Sequence, residues 1–179
     1  MTAIGANYGQ ALYSLAVEEG QAAQILDQLQ VLQKSFSEEP SFIRLLSAAN
    51  ISKAERCQIL EDSFRDRVHP YVLNFLKILT EKGHIRQFES CVKTYRQQHY
   101  ADQNILEVLA VTAVEMTEDQ QQRLKEKLAT ITGKSIDLIC RVDGACLGGV
   151  RLDYDGKRLD GTVKNRLEDI GKMLKNTVL

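Results

Sequence analysis

The stretch Tyr71–Leu79, Y-V-L-N-F-L-K-I-L, decides how this chain is read. Wound as a helix at about 100° per residue, Tyr71, Val72, Leu73, Phe75, Leu76, Ile78 and Leu79 cover an arc of roughly 220°. A surface helix needs an apolar stripe only about half as wide, so the segment predicts a central helix covered on more than one side. Asn74, Lys77 and Glu81 share the remaining strip, which predicts one solvated edge. Pro70, at the first helical position, gives up an N–H that has no partner there anyway. Gly83 supplies the left-handed residue that ends helices.

Working outward toward the N-terminus, Ile4, Tyr8, Ala11, Leu12 and Leu15 recur at helical spacing, with Asn7, Gln10, Ser14 and Glu18 opposite. They predict an amphipathic first helix that stops near Gly20. Ile25, Leu29, Leu32 and Phe36 mark a second helix, and Pro40 opens a short third with Phe42, Ile43, Leu45 and Leu46. Ser52 and Glu55 form a capping box for a fourth, Lys53 to about Phe64, with Ile59, Leu60 and Phe64 inward. Beyond Gly83, Ile85, Phe88, Val92, Tyr95 and His99 predict a long sixth helix to about Tyr100. Six helices joined by short links predict a helical bundle over residues 1–104.

At Asn104 the period changes. Ile105 to Val114 is apolar on both faces and reads as a strand covered on both sides. Thr117 and Gln120 make a second capping box, for a helix with Leu124, Leu128 and Ile131 inward that ends at Gly133. Ile136, Leu138, Cys140 and Val142 alternate with Asp137, Ile139, Arg141 and Asp143, nearly a clean half-buried strand, and Val150, Leu152 and Tyr154 alternate with Gly149, Arg151 and Asp153 in another. Asp155-Gly156 is a strong hairpin signal leading into a brief return strand, Lys157 to Leu159. Asp160 is placed to cap a last helix carrying Val163, Leu167, Ile170 and Leu174. Residues 105–179 thus predict a small β-α-β-β-β-α domain with one parallel pair and an antiparallel hairpin. The boundary is expected near 101–105.

The chemistry that is missing narrows the function. With 44% hydrophobic and 26% charged residues and a net charge of −1, the composition is that of a globular domain and argues against nucleic acid as the main partner. No apolar run reaches membrane-spanning length, and the N-terminus lacks a signal-peptide plan, so a cytoplasmic protein without direct membrane insertion is expected. Cys57, Cys91, Cys140 and Cys146 contain no Cys-x-x-Cys pair, and they read as small buried hydrophobes rather than metal ligands. Gly133-Lys134-Ser135 resembles the tail of a phosphate loop, but Leu128 stands where the first glycine is needed. Gly148-Gly149 reads as a bulge or close backbone approach. Cys91 and His99 are eight residues apart on a helix, roughly 12 Å, too far to act as a pair. His69 reads as a cap, and His84 belongs to a turn. Tyr154 is the lone aromatic after residue 104, which is poor provision for stacking RNA bases. No catalytic residue, cofactor or metal is expected. The residues point to a protein that works through its surfaces, with a soluble helical adaptor or RNA-binding regulator as the alternative.

Several segments carry a family likeness. Y-G-Q-A-L-Y-S-L-A, Tyr8 to Ala16, resembles the opening helix of the delta subunit of F-type ATP synthases, the family of the oligomycin-sensitivity-conferring protein. F-L-K-I-L-T-E-K-G-H-I, Phe75 to Ile85, is similar to that family's fifth helix and following turn. V-D-G-A-C-L-G-G-V-R-L, Val142 to Leu152, with L-D-G-T-V-K-N-R-L, Leu159 to Leu167, resembles its C-terminal signature. Gly9 stands where alanine is usual, lowering local helix propensity, and Gly144 replaces a common proline. The resemblance implies a non-catalytic stator subunit, one copy per complex, peripheral on the cytoplasmic face of the cell membrane. Residues 1–104 would bind the N-terminal helices of the alpha subunits, and residues 105–179 the C-terminal end of the b subunits. The head is thereby held still while the rotor turns, so that torque drives ATP synthesis. Between the first and fifth helices, Tyr8, Ala11, Leu12, Leu15, Val72, Leu76 and Leu79 are the expected contacts for the alpha helix. Val163, Leu167, Ile170 and Leu174 are those expected for b.

Overall fold

The computed structural model describes residues 3–146 and 148–162. It is mostly helical, with one small mixed four-stranded sheet near the C-terminal end. The elements are α1 (Ala3–Glu18), α2 (Ala22–Glu38), α3 (Pro40–Leu46), α4 (Lys53–Phe64), α5 (Pro70–Glu81), α6 (Phe88–Asp102), β1 (Ile105–Thr112), α7 (Glu118–Thr132), β2 (Ser135–Val142), β3 (Val150–Tyr154) and β4 (Lys157–Asp160). Among the described residues there are thus seven α-helices, six before the first strand. The helix expected to run unbroken from Ile85 instead begins with a 3-10 turn, Ile85–Gln87, before α6. Val163, Leu167, Ile170 and Leu174 lie outside the described residues.

The chain divides into two compact units between His99 and Tyr100. In the first, Val72, Leu76 and Leu79 of α5 are completely buried, together with Ile25, Leu29, Leu46, Leu60, Ile85 and Tyr95. Phe36 gathers the rings of Phe42, Phe64 and Phe88 around it at 5.1–6.2 Å. Local signals set the helix ends. Ser52 and Glu55 close a reciprocal capping box, His69 Nδ1 accepts the Tyr71 N–H at 3.3 Å, and Gly83 adopts φ 74. Tyr95 is fully buried, and its hydroxyl donates to the Ala22 carbonyl at 2.9 Å. Burial holds that phenol well above its ordinary pKa.

In the second unit the strand order is β2-β1-β3-β4, with β1 parallel to β2 and antiparallel to β3. Leu106, Val108 and Ala110 of β1, Leu128 of α7 and Leu152 of β3 make its core, with Leu124, Ile136, Leu138 and Tyr154 packed around them. Residues 100–104 belong to this unit and are tied into it. The Tyr100 hydroxyl donates to Asp137 Oδ2 at 2.6 Å, and Asn104, at φ 53, donates from Nδ2 to the Gly133 carbonyl at 3.3 Å. Asp155 and Gly156, at φ 49 and φ 71, form the β3–β4 turn. Gly149 must be glycine, because a Cβ there would lie 2.5 Å from the Gly161 carbonyl oxygen at a backbone φ of +82°.

Three expectations in this unit need correction. β1 stops at Thr112 because the Thr112 hydroxyl turns to the Val114 carbonyl at 2.7 Å, leaving Val114 74% exposed. Ile131 is 80% exposed, since the inward face of α7 is centred on Leu128 and Ile131 lies at its margin. Cys140 and Val142 are exposed as well. β2 is an edge strand, and α7 packs Leu124 and Leu128 against Ile136 and Leu138 at its beginning.

Candidate partner-binding site

The two faces of α1 differ in kind. Gly5, Gly9, Leu12, Tyr13 and Ala16 are buried, whereas Ala11 is exposed and Ile4 and Leu15 are each 37% exposed. At about 100° per residue the buried set is centred roughly 115° from Ile4, Tyr8, Ala11 and Leu15. The stripe expected from spacing is therefore the open face, apart from Leu12, and the buried face combines Gly5, Gly9 and Ala16 with Leu12 and Tyr13. A Cβ on Gly9 would stand 2.4 Å from the Cys91 carbonyl oxygen and 2.9 Å from Thr94 Cβ. Gly9 thus lets α1 approach the backbone of α6. Burial pushes the nearby Cys91 thiol up to about 11, which leaves it an unreactive small hydrophobe.

The open face of α1 lies beside α5, and two contacts bracket the space between them. The Tyr8 ring meets His84 at 6.1 Å, just past the C-terminal end of α5. At the opposite end the Tyr71 phenol lies near the Glu19 carboxylate, and partial burial followed by that negative charge raises the phenol's pKa. From Tyr8 to Glu19 is about three helical turns, or roughly 16 Å. Val72, Leu76 and Leu79, expected to line this space, are core residues at 0% exposure. The α5 residues on its accessible side are Tyr71, Asn74 and Ile78, which share one edge at spacings of three and four. Spacing alone does not separate the two sides of so wide an apolar arc. The α4 side of α5 is occupied, because Glu61 of α4 bridges Lys77 and Arg65. The hydrogen bond from Lys77, then that from Arg65, holds the Glu61 carboxyl below its usual range.

A shallow surface on α7 is lined by Arg123, Glu126, Lys127, Thr130 and Ile131. Arg123 is paired within its own helix to Asp119 at 3.1 Å. Among the described residues no cluster of three or more His, Cys, Asp or Glu side chains is placed to hold a metal, and no helix is long and apolar enough to cross a membrane.

The family model for the ATP synthase delta (OSCP) subunit matches residues 4–174. This chain belongs to that family. Among its relatives, ATP synthase subunit delta of Alkaliphilus oremlandii is 34% identical over 171 residues, spanning 96% of this chain and 95% of that one. The delta subunit of Moorella thermoacetica is 31% identical over 172 residues, 96% of each chain. In fold, the chain is similar to one from the Toxoplasma gondii mitochondrial ATP synthase hexamer, with a TM-score of 0.78 at 17% identity over 97% of this chain and 98% of that one. As a member of the delta (OSCP) family the chain is a non-catalytic stator subunit of F-type ATP synthase. The open apolar face of α1 is in keeping with that role.

Proposed function

We propose that the face formed by Ile4, Tyr8, Ala11 and Leu15 of α1 with Tyr71 and Ile78 of α5 receives the N-terminal helix of an alpha subunit. The single observation that carries this reading is the burial pattern of α1, which covers Gly5, Gly9, Leu12, Tyr13 and Ala16 and leaves Ile4, Ala11 and Leu15 exposed. Helix-in-groove recognition uses anchors at spacings of three and four, the spacing that this stripe presents. Residues 105–179 take the C-terminal end of the b subunits, with Val163, Leu167, Ile170 and Leu174 as the apolar contacts that the family likeness and their helical spacing support. One copy then sits peripherally at the cytoplasmic face of the membrane. The helical unit grips the head and the sheet unit grips the stalk.

The test is a pull-down of the tagged full-length chain from a solubilised membrane extract, alongside Ala11→Asp. Ala11 is exposed, so the substitution leaves the fold intact, which circular dichroism checks. Wild type should recover alpha, beta and b subunits. Ala11→Asp should retain b and lose most of the alpha and beta. Recovery of alpha undiminished by Ala11→Asp places the site elsewhere.

A further inference from the structure

We propose that Asn74 fixes the register of the helix that docks between α1 and α5. The inference rests on the reading of that face as the alpha-helix site. Asn74 is exposed and stands between Tyr71 and Ile78 on the accessible edge of α5. Its polar neighbours on that helix are engaged, Lys77 with Glu61 and Glu81 with the Cys57 thiol at 3.7 Å, while the Tyr71 phenol lies near Glu19. Among the described residues the Asn74 amide has no partner and is left to water.

A helix laid along Ala11, Leu15, Tyr71 and Ile78 strips that water away. The amide carries two N–H donors and a carbonyl acceptor, and dehydrating them unpaired opposes binding. The apolar contacts alone tolerate a slide by one turn, because every turn presents a similar surface. A polar group facing Asn74 does not. A single buried asparagine sets helix register in coiled coils for the same reason. The partner helix is therefore one that carries, within its apolar stripe, a single serine, threonine, glutamine or asparagine opposite Asn74.

The experiment titrates the full-length chain by calorimetry with two synthetic peptides. One is the N-terminal segment of the alpha subunit, and the other has the same apolar stripe with its polar residue moved by one turn. Wild type should prefer the native peptide by about tenfold, the fold-change expected for one satisfied against one unsatisfied hydrogen bond. Asn74→Leu should bring the two within about threefold, chiefly by tighter binding of the shifted peptide. Equal binding of both peptides by wild type, or an undiminished preference in Asn74→Leu, overturns the role of Asn74. A wild type that binds neither peptide overturns the groove itself and this inference with it.

Discussion

Helices α1 and α5 are both apolar over wide arcs, yet they use their side chains in opposite ways. α5 turns Val72, Leu73, Phe75, Leu76 and Leu79 into the bundle. Its burial is won by volume. α1 turns in Gly5, Gly9 and Ala16 alongside Leu12 and Tyr13, and keeps Ile4, Ala11 and Leu15 at the surface. Its burial is won by proximity, since small residues let two helix backbones meet. A helix apolar on more than one side thus has a core face set by what packs against it: on α1 that face combines Gly5, Gly9 and Ala16 with Leu12 and Tyr13, and Ile4 and Leu15 fall outside it.

The sharpest way to break this contrast is to remove volume from α5. Leu76 is fully buried, so Leu76→Ala should cost about 2–5 kcal/mol of stability, read from urea unfolding of the full-length chain. A loss well under 1 kcal/mol would mean that α5 is not the centre of the bundle. Next comes proximity on α1. Helix propensity alone favours Gly9→Ala by about 1 kcal/mol. The new Cβ meets backbone at Cys91, which cannot swing aside, and overpacking of this kind costs about 1–3 kcal/mol. Net destabilisation is expected, seen as a lower urea midpoint, and a raised midpoint would mean that α1 and α6 separate easily.

Leu15→Ala sharpens the comparison from the open side. It should shift the unfolding midpoint little, by about 0.5 kcal/mol or less, while weakening the alpha peptide severalfold in calorimetry. The reverse pattern would make Leu15 a core residue. The smallest effect belongs to the closed side of α5. Glu61 is held below its ordinary pKa by Lys77 and Arg65, so its stabilisation is fully present above the unfolded value of about 4.3. That contribution disappears as the pH falls through the lower folded value. Wild type should therefore exceed Glu61→Gln in stability at pH 7, and the gap should close below pH 4. A gap that persists in acid would show that the ion pairs are not its source.

Much of the fold was legible because its signals are local. Pro70, the Ser52–Glu55 and Thr117–Gln120 boxes and the Asp155-Gly156 turn act within a few residues of backbone, and each stands where spacing put it. The open face was half legible. Helical spacing singles out Tyr8, Ala11 and Leu15 on α1, but on α5 it does not separate the buried Val72, Leu76 and Leu79 from the more accessible Tyr71 and Ile78, because every position of a wide apolar arc looks alike. The series Gly5, Gly9, Leu12 and Ala16, at spacings of four, three and four, was the available sign of the true buried face. Glycine scores as low helix propensity, and so its role as a contact surface was passed over.

The order of the elements, most of their ends and the mixed sheet with its hairpin could be read from the residues alone. Hydrophobic period, capping and turn chemistry are properties of adjacent residues, and they need no knowledge of what packs where. Which side of α1 is covered, why Gly9 must be small, that Ile131 lies outside the core and that β2 is an edge were set by packing between distant segments. Those outcomes depend on the distance between segments remote in the chain, such as Gly9 and Cys91, and on which neighbour reaches a given face first.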